Sequence, residues 1–552
     1  MSAVQASEPV LSIRDLSVAL PGGGDRAHAI RDVGFEVRRG ETLCIVGESG
    51  SGKSMTAHAV MGLLPQGLSV GAGEIRLAGQ ALTACSDREW RAIRGRSIGM
   101  IFQEPMTSLN PVQRIGEQIV EVFKAHGVLT PAQRRAKALA LLAEVGLPEP
   151  EQLLRAFPHQ LSGGQRQRVM IAMAVALEPH LLIADEPTTA LDVTTQGQIL
   201  KLIARLQRER GMSVLLITHD FGVVAEIADR VVVMHQGRVV ESGVAGGVLE
   251  RPQHAYTKAL LASVPSLTPP PAATLEGQPI ALSVEGLSKT YVSRASLFGA
   301  KRTVAAADEV SFTLRRGETL GIIGESGSGK STVGKCLVRL LAADAGAIRL
   351  GEVDFLAQRG EALRTLRRKV QMIFQDPYAS LNPRKSVGRI ITDGPIAHGV
   401  ARVEAERRAG ELMELVGLGI DALKRYPHEF SGGQRQRIGI ARALALDPDI
   451  IVADEAVSAL DVSVQAQVLA LLADLKRRMA LSLVFITHDL RVAAQICDRV
   501  AIMQRGRIVE IGPTAAVFAA PEHAYTRELL AAVPGAVSRS VYATGSDEAK
   551  GR

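Results

Sequence analysis

The sequence predicts an α/β protein built from two tandem copies of one unit, and three observations carry that expectation. At 552 residues the chain exceeds what one hydrophobic core usually supports, so two or more domains are expected. The same landmarks recur in the same order: GESGSGKS begins at 47 and 324, SGGQRQR at 162 and 431, ADE at 184 and 453, ITHD at 217 and 486, and HAYT at 254 and 523. A repeat of that period marks one structural unit written twice. Short β-rich runs such as LCIVG (43–47) and LLIAD (181–185) alternate with helical patterns, which implies a parallel sheet with helices between its strands.

Taken in order, the elements divide the chain as follows. The glycine-rich strings are 277 apart (324 − 47), whereas the later landmarks keep a spacing of 269 (431 − 162), so insertions fall in the early part of each unit. A helical insert rich in Ala, Leu, Glu and Arg occupies roughly 104–165 and 376–434. VPSLTPPPAATLEGQP (264–279) lacks apolar periodicity and reads as an extended linker. The first domain is therefore placed at 1–263, the linker at 264–279 and the second domain at 280–533. The remaining 534–552, rich in small and polar residues, reads as a loose tail.

Composition narrows the function classes. Hydrophobic residues make up 46% and charged residues 22%, as in folded globular proteins. The net charge of +7 suits nucleic acid or an anionic membrane surface alike. The four cysteines, Cys44, Cys85, Cys336 and Cys497, form no CxxC pair, zinc spacing or disulfide framework and fit a reducing cytosol. No run approaches the roughly 18 to 20 apolar residues of a membrane-spanning helix, and the N-terminal residues lack a basic segment followed by an apolar one.

Chemistry enters where the first strand of each half feeds the glycine-rich loop. In Gly47, Glu48, Ser49, Gly50, Ser51, Gly52, Lys53, Ser54 and Met55, the glycines let successive N–H groups curl inward as a nest for phosphate oxygens at a helix N-terminus. Lys53 then reaches the β- and γ-phosphates, and Ser54 offers a hydroxyl to Mg²⁺. Gly324, Glu325, Ser326, Gly327, Ser328, Gly329, Lys330, Ser331 and Thr332 repeat those roles. LLIADE and IIVADE end on Asp185–Glu186 and Asp454–Glu455, placing paired acids at a strand's C-terminal end, where open α/β sheets bind ligands. The first acid is suited to Mg²⁺, the second to orienting or deprotonating an attacking water. His219 and His488 follow another β-rich run that should neighbour the carboxylate strand, where an imidazole can sense the γ-phosphate. Gln103 and Gln375, in IFQ(E/D)P, carry amides suited to Mg²⁺ and water.

LSGGQ (161–165) and FSGGQ (430–434) resemble the signature of ABC ATPases, and the resemblance covers nearly the whole chain. It implies two tandem P-loop ABC-type nucleotide-binding domains, each with a RecA-like core, an antiparallel β subdomain and a helical subdomain. ATP and Mg²⁺ are the implied cofactors, with Gln103 and Gln375 as Q-loops, Asp192 and Asp461 as D-loops, and His219 and His488 as switch histidines. It further implies composite sites in an intramolecular pseudo-dimer. Lys53 would face the signature Ser431, Gly432, Gly433 and Gln434, and Lys330 would face Ser162, Gly163, Gly164 and Gln165. FQEPMTSLNP, FQDPYASLNPR and the HAYT-containing tails are similar to the oligopeptide and dipeptide importer branch. The implied partners are two inner-membrane permease subunits and an extracytoplasmic solute-binding protein, with the chain peripheral on the cytoplasmic face of a bacterial inner membrane and no nucleic acid bound.

One departure separates the halves. Aligning LSIRDLSVAL (11–20) with LSVEGLSKTY (282–291) puts Leu20 where the second half has Tyr291, the residue implied to stack on adenine. Neither tail carries a cysteine, so the iron–sulfur cluster of some relatives is not expected. Against the importer stands a dual-cassette translation factor acting on ribosomes; such proteins insert a long charged helical linker, whereas 264–279 is short and proline-rich. A DNA-repair or chromatin ATPase would call for zinc cysteines or a long coiled-coil insert.

Overall fold

The computed structural model describes residues 9–21, 27–103, 108–189, 191–270, 275, 277–294, 301–458 and 460–534. The proposed tail, from 535 on, lies outside the described residues, as do 271–274 and 276 within the proposed linker and 104–107 in the first helical insert. Two compact units emerge, the described residues up to Ser263 and the span Val264–Ala532.

In the first unit β1 (Leu11–Ala19), β2 (His28–Val37), β4 (Ser69–Leu77) and β5 (Gln80–Ala81) form a four-stranded antiparallel sheet in the order β2-β1-β4-β5. A second, six-stranded sheet runs β10-β9-β3-β8-β7-β6, from β3 (Thr42–Val46), β6 (Ile98–Ile101), β7 (Leu181–Asp185), β8 (Ser213–Thr218), β9 (Arg230–His235) and β10 (Arg238–Val244). Its pairs are parallel except β9 with β10. Every residue of β3, β7 and β8 is buried. Strands covered on both faces read as continuous apolar runs rather than alternating ones, which is why LCIV and LLIA stood out in the sequence.

The second unit repeats this plan with β11 (Ile280–Arg294), β12 (Lys301–Arg315), β13 (Thr319–Ile323), β14 (Ala345–Leu350), β15 (Val353–Asp354), β16 (Val370–Ile373), β17 (Ile450–Asp454), β18 (Ser482–Thr487), β19 (Arg499–Gln504) and β20 (Arg507–Pro513). Their orders are β12-β11-β14-β15 and β16-β17-β18-β13-β19-β20. In each unit one hydrophobic cluster joins the two sheets: Leu11, Ile13 and Ile75 meet Ile45, Ile183 and Ile217 in the first, and Leu282, Val284 and Ile348 meet Ile322, Val452 and Ile486 in the second. Apolar burial of this kind is the main force fixing one sheet against the other.

Helices between β6 and β7 supply the arm foreseen from composition: Ile115–Ala125, Pro131–Glu144 and Gly163–Ala174. Their starts are written locally. Thr130 and Ser162 each accept a hydrogen bond from the N–H three residues on while Gln133 and Gln165 reach back, a reciprocal cap that satisfies two N–H groups the helix leaves unpaired. In the second unit Val387–Ala397, Arg402–Leu415 and Gly432–Leu444 occupy the same place.

Candidate functional site

The phosphate-type loop leaves β3 and closes into the helix Lys53–Val60. Gly52 caps that helix at φ 103°, a left-handed conformation that costs a side-chain-bearing residue dearly, and an added Cβ would lie 2.5 Å from Ile30. Gly329 plays the same part at φ 105°, where a Cβ would fall 1.8 Å from the Ala306 carbonyl. The loop is braced from outside, since the Gly237 N–H between β9 and β10 donates to Ser51 O at 3.0 Å, and Gly506 N–H to Ser328 O at 2.9 Å.

Lys53 is almost wholly buried, with its ammonium held over the loop by the Gly47 carbonyl at 2.7 Å and the Glu48 carbonyl at 2.9 Å. Lys330 repeats this at 2.6 Å to Gly324 and 2.8 Å to Glu325. A buried cation needs partners; backbone carbonyls supply them without neutralising its charge, so the ammonium stays available to an anion. Ser51 Oγ is buried without a hydrogen-bond partner inside this loop, an orphaned polar atom of the kind an incoming phosphate oxygen satisfies.

The paired carboxylates lie where β7 and β17 end. Ser54 Oγ donates to Asp185 Oδ1 at 3.0 Å and Ser331 Oγ to Asp454 Oδ1 at 2.9 Å. Burial pushes both aspartates above the ordinary range. This donor set is hydroxyl plus carboxylate oxygen, the hard chemistry Mg²⁺ takes together with phosphate oxygens and water. Among the described residues no cluster of three His, Cys, Asp or Glu side chains forms a ready-made metal cage.

Glu186 and Glu455 occupy the next position with φ 45° and 46°. A left-handed backbone at a glutamate is strained, and the adjacent strand maintains it: Glu186 N–H donates to Ile217 O on β8, and Glu455 N–H to Ile486 O on β18, both at 2.9 Å. The turn swings each carboxylate toward two side chains anticipated from sequence. Gln103 Nε2 donates to Glu186 Oε2 at 3.0 Å and His219 Nδ1 stands 3.4 Å from Oε1. The second site has 2.7 Å from Gln375 and 3.2 Å from His488. Burial alone would raise the Glu186 pKa, but the His219 contact, the Thr189 hydroxyl and the Lys53 charge outweigh it and hold the carboxyl at about 2; Glu455 shifts down in the same way. Burial would lower the pKa of both histidines, yet their glutamates prevail and raise it. Each site thus presents a carboxylate held low beside an imidazole and an amide, a set competent to hold and polarise a water next to a phosphoryl group.

The signature and D-loop residues stand on other elements. Ser162 Oγ accepts from Gln165 N at 3.2 Å and Ser162 N–H donates to Gln165 Oε1 at 2.9 Å, with the same pair at Ser431 and Gln434. Gly163, Gly164, Gly432 and Gly433 form the first turns of those helices. Asp192 caps the helix Val193–Arg210 through Thr195 N at 2.9 Å, while Asp461 begins Val462–Met479. Tyr291 lies on β11 beside Val304 with an exposed ring, and Leu20 follows directly on β1.

Two contacts at the sites were not read from sequence. Thr189 Oγ1 donates to Glu186 Oε2 at 2.9 Å; its place three residues after the acid is the only sequence signal. Tyr256 and Tyr525, from the repeated HAYT, meet the phosphate loops: Glu48 N–H donates to Tyr256 Oη at 3.2 Å and Glu325 N–H to Tyr525 Oη at 3.1 Å. The repeat of HAYT marked a duplicated tail but not the loop 208 residues upstream that Tyr256 touches.

Comparison with known proteins agrees with this geometry. The family profile described as ABC transporter matches residues 30–189 and 307–458, and that described as oligopeptide/dipeptide transporter, C-terminal region, matches 240–294 and 509–546. The glutathione import ATP-binding protein of Salmonella choleraesuis is 50% identical over 96% of this chain and 90% of its own length. The protein of the same name from Escherichia coli O157:H7 is 48% identical over 95% and 89%. The peptidoglycan transport ATP-binding protein of Agrobacterium fabrum is 48% identical over 95% and 96%.

Proposed function

The chain belongs to the ABC transporter family as a double ATP-binding cassette, and from that premise we propose that it is the ATP-hydrolysing subunit of an importer for peptides or peptide-like solutes, the glutathione class among them. The observation that carries the reading is the pairing, in both halves, of a complete ATPase constellation with the oligopeptide/dipeptide transporter C-terminal region. The named relatives match over nearly the whole of this chain, both cassettes included. A translation factor has no need of such tails.

In the proposed cycle the loop N–H groups and Lys53 or Lys330 bind the β- and γ-phosphates, and Ser54 with Asp185, or Ser331 with Asp454, holds Mg²⁺, which neutralises phosphate charge. Glu186 and Glu455 orient and deprotonate water, while Gln103, His219, Gln375 and His488 set the position of those carboxylates. Lys53 facing Ser431, and Lys330 facing Ser162, belongs to the proposal and rests on family likeness, as do the roles of Asp192 and Asp461. No helix among the described residues is long and apolar enough to cross a membrane. The proposed importer therefore includes two separate permease subunits, a solute-binding protein outside the membrane, and this chain attached peripherally on the cytoplasmic face.

The test is capture of the tagged Glu186→Gln/Glu455→Gln chain from its own cells in mild detergent with ATP. Two integral membrane proteins and a solute-binding protein, whose ligand mass spectrometry identifies, are the expected companions. Ribosomal proteins in their place would refute the importer and favour the translation factor.

A further inference from the structure

We propose that Tyr256 and Tyr525, carried by the C-terminal extension of each unit, are positioning residues of the ATPase sites that act through the phosphate-loop lysines. The inference rests on the ATP-binding reading of those loops and is independent of which solute is moved.

The argument starts from one peptide unit. In a trans peptide the C=O and N–H point in opposite directions. The unit joining Gly47 to Glu48 has Lys53 Nζ at its carbonyl end, 2.7 Å from Gly47 O, and Tyr256 Oη at its N–H end, 3.2 Å from Glu48 N. In the second unit the same peptide, Gly324 to Glu325, spans Lys330 at 2.6 Å and Tyr525 at 3.1 Å. Turning that peptide would swing the carbonyl away from the lysine, so the phenol at one end sets the aim of the acceptor at the other. Hydrogen bonds in such a chain polarise and strengthen one another.

The tyrosine is itself held in place, and by the other letters of HAYT. Glu241 on β10 accepts the Gln253 and His254 N–H groups at 2.7 and 3.1 Å; Glu510 on β20 accepts those of Glu522 and His523 at 2.9 and 3.1 Å, and also the Thr526 hydroxyl. His254 and His523 then cap the short terminal helices, each accepting through Nδ1 from the tyrosine N–H at 3.2 Å. Thr257 and Thr526 are fully buried. The Tyr256 ring stacks on His235 with centroids 3.9 Å apart, while Tyr525 is itself buried. Two units with different surroundings thus hold the same phenol on the same loop peptide. Nothing in binding phosphate by the loop alone calls for a residue about 200 positions downstream.

The experiment uses the full chain and a fluorescent ATP analogue competed with ATP and with AMP, for wild type, Tyr256→Phe/Tyr525→Phe, Lys53→Ala/Lys330→Ala and all four together. Loss of one hydrogen bond at each loop is expected to weaken ATP binding about fivefold. AMP, which lacks the phosphates the lysine reaches, should bind as before. In the lysine-free background the tyrosine change should add no further loss, the non-additivity of residues acting through one another. Equal loss of ATP and AMP affinity, a lower melting temperature with ATP binding intact, or full additivity with the lysine change would overturn the proposal. Should the double phenylalanine chain not fold, Tyr256→Phe alone leaves the Tyr525 site as an internal reference. Wild type that bound no ATP, or lysine variants that bound it as well as wild type, would indict the ATP reading of the loop instead.

Discussion

In the first unit Glu186 takes hydrogen bonds from both Gln103 and Thr189; in the second Glu455 takes one from Gln375, and Ser458, the counterpart of Thr189, donates to the Glu455 backbone carbonyl at 3.0 Å while still helping to hold the carboxyl low. The position proposed to face adenine differs too, Leu20 against Tyr291. The core differs by a compensating exchange: β3 carries Cys44 where β13 has Gly321, and the helix that follows β8 ends at Ala228 where its counterpart ends at Cys497. A Cβ added at Gly321 would lie 2.7 Å from Cys497 Sγ, so in the second unit the Cys497 sulfur stands where a side chain at 321 would reach. The lysine, serine, aspartate, glutamate, glutamine and histidine proposed to serve phosphate, metal or water are the same in both copies, whereas their supports vary.

The strongest way to break the equivalence of the two sites is at the second acids. Glu186→Gln and Glu455→Gln should each slow steady-state ATP turnover by about 10² or more, the usual scale for loss of a general base. Full-rate turnover by either single variant would show that one site is not needed. Smaller is the adenine difference. Tyr291→Leu should weaken nucleotide binding at the Lys330 site, and Leu20→Tyr should strengthen it at the Lys53 site, each by about 1 to 3 kcal/mol on the scale of ring–base stacking. Titrating each site with the other silenced by Lys→Ala measures both, and equal affinities in the unmodified chain would remove the distinction. Thr189→Ala should cost about 1 kcal/mol, or roughly fivefold in turnover at the first site, with Ser458→Ala costing less because its hydroxyl donates to the backbone carbonyl; matching losses would erase that asymmetry. The core exchange should be subtlest. Gly321→Ala crowds Cys497 and should destabilise the second unit by about 1 kcal/mol, and Cys497→Ala added to it should restore the melting temperature. A double variant no more stable than Gly321→Ala would mean the two positions do not share space.

Much of this was legible in the residues because the chemistry is carried by short contiguous strings. GESGSGKS, ADE and ITHD each place their functional atoms within one turn or one strand end, so residue type and order suffice. The strands beneath them are buried on both faces and announce themselves as apolar runs. Harder to read was the bond from Glu48 N–H to Tyr256, which joins segments 208 residues apart, and the left-handed turn at Glu186, whose N–H is tied to a carbonyl of the neighbouring strand and which involves no glycine. The antiparallel sheets were likewise supplied by family resemblance, since β1 and β4 show bulges and register shifts that blur a period of two.

By itself, then, the sequence determined the duplication, the α/β class and the ATP-binding family, and it supplied the residues proposed to perform the chemistry, because each is encoded over a few consecutive positions or by exact repetition. Only the tertiary structure decided that Gln103 and His219 meet on Glu186 rather than on the metal-side aspartate, that strained glutamates are pinned across strands, and that the C-terminal tyrosines reach the phosphate loops. Those outcomes depend on strand order and on which elements pack together, and hydrogen bonds across long sequence separations follow from packing that no local pattern specifies.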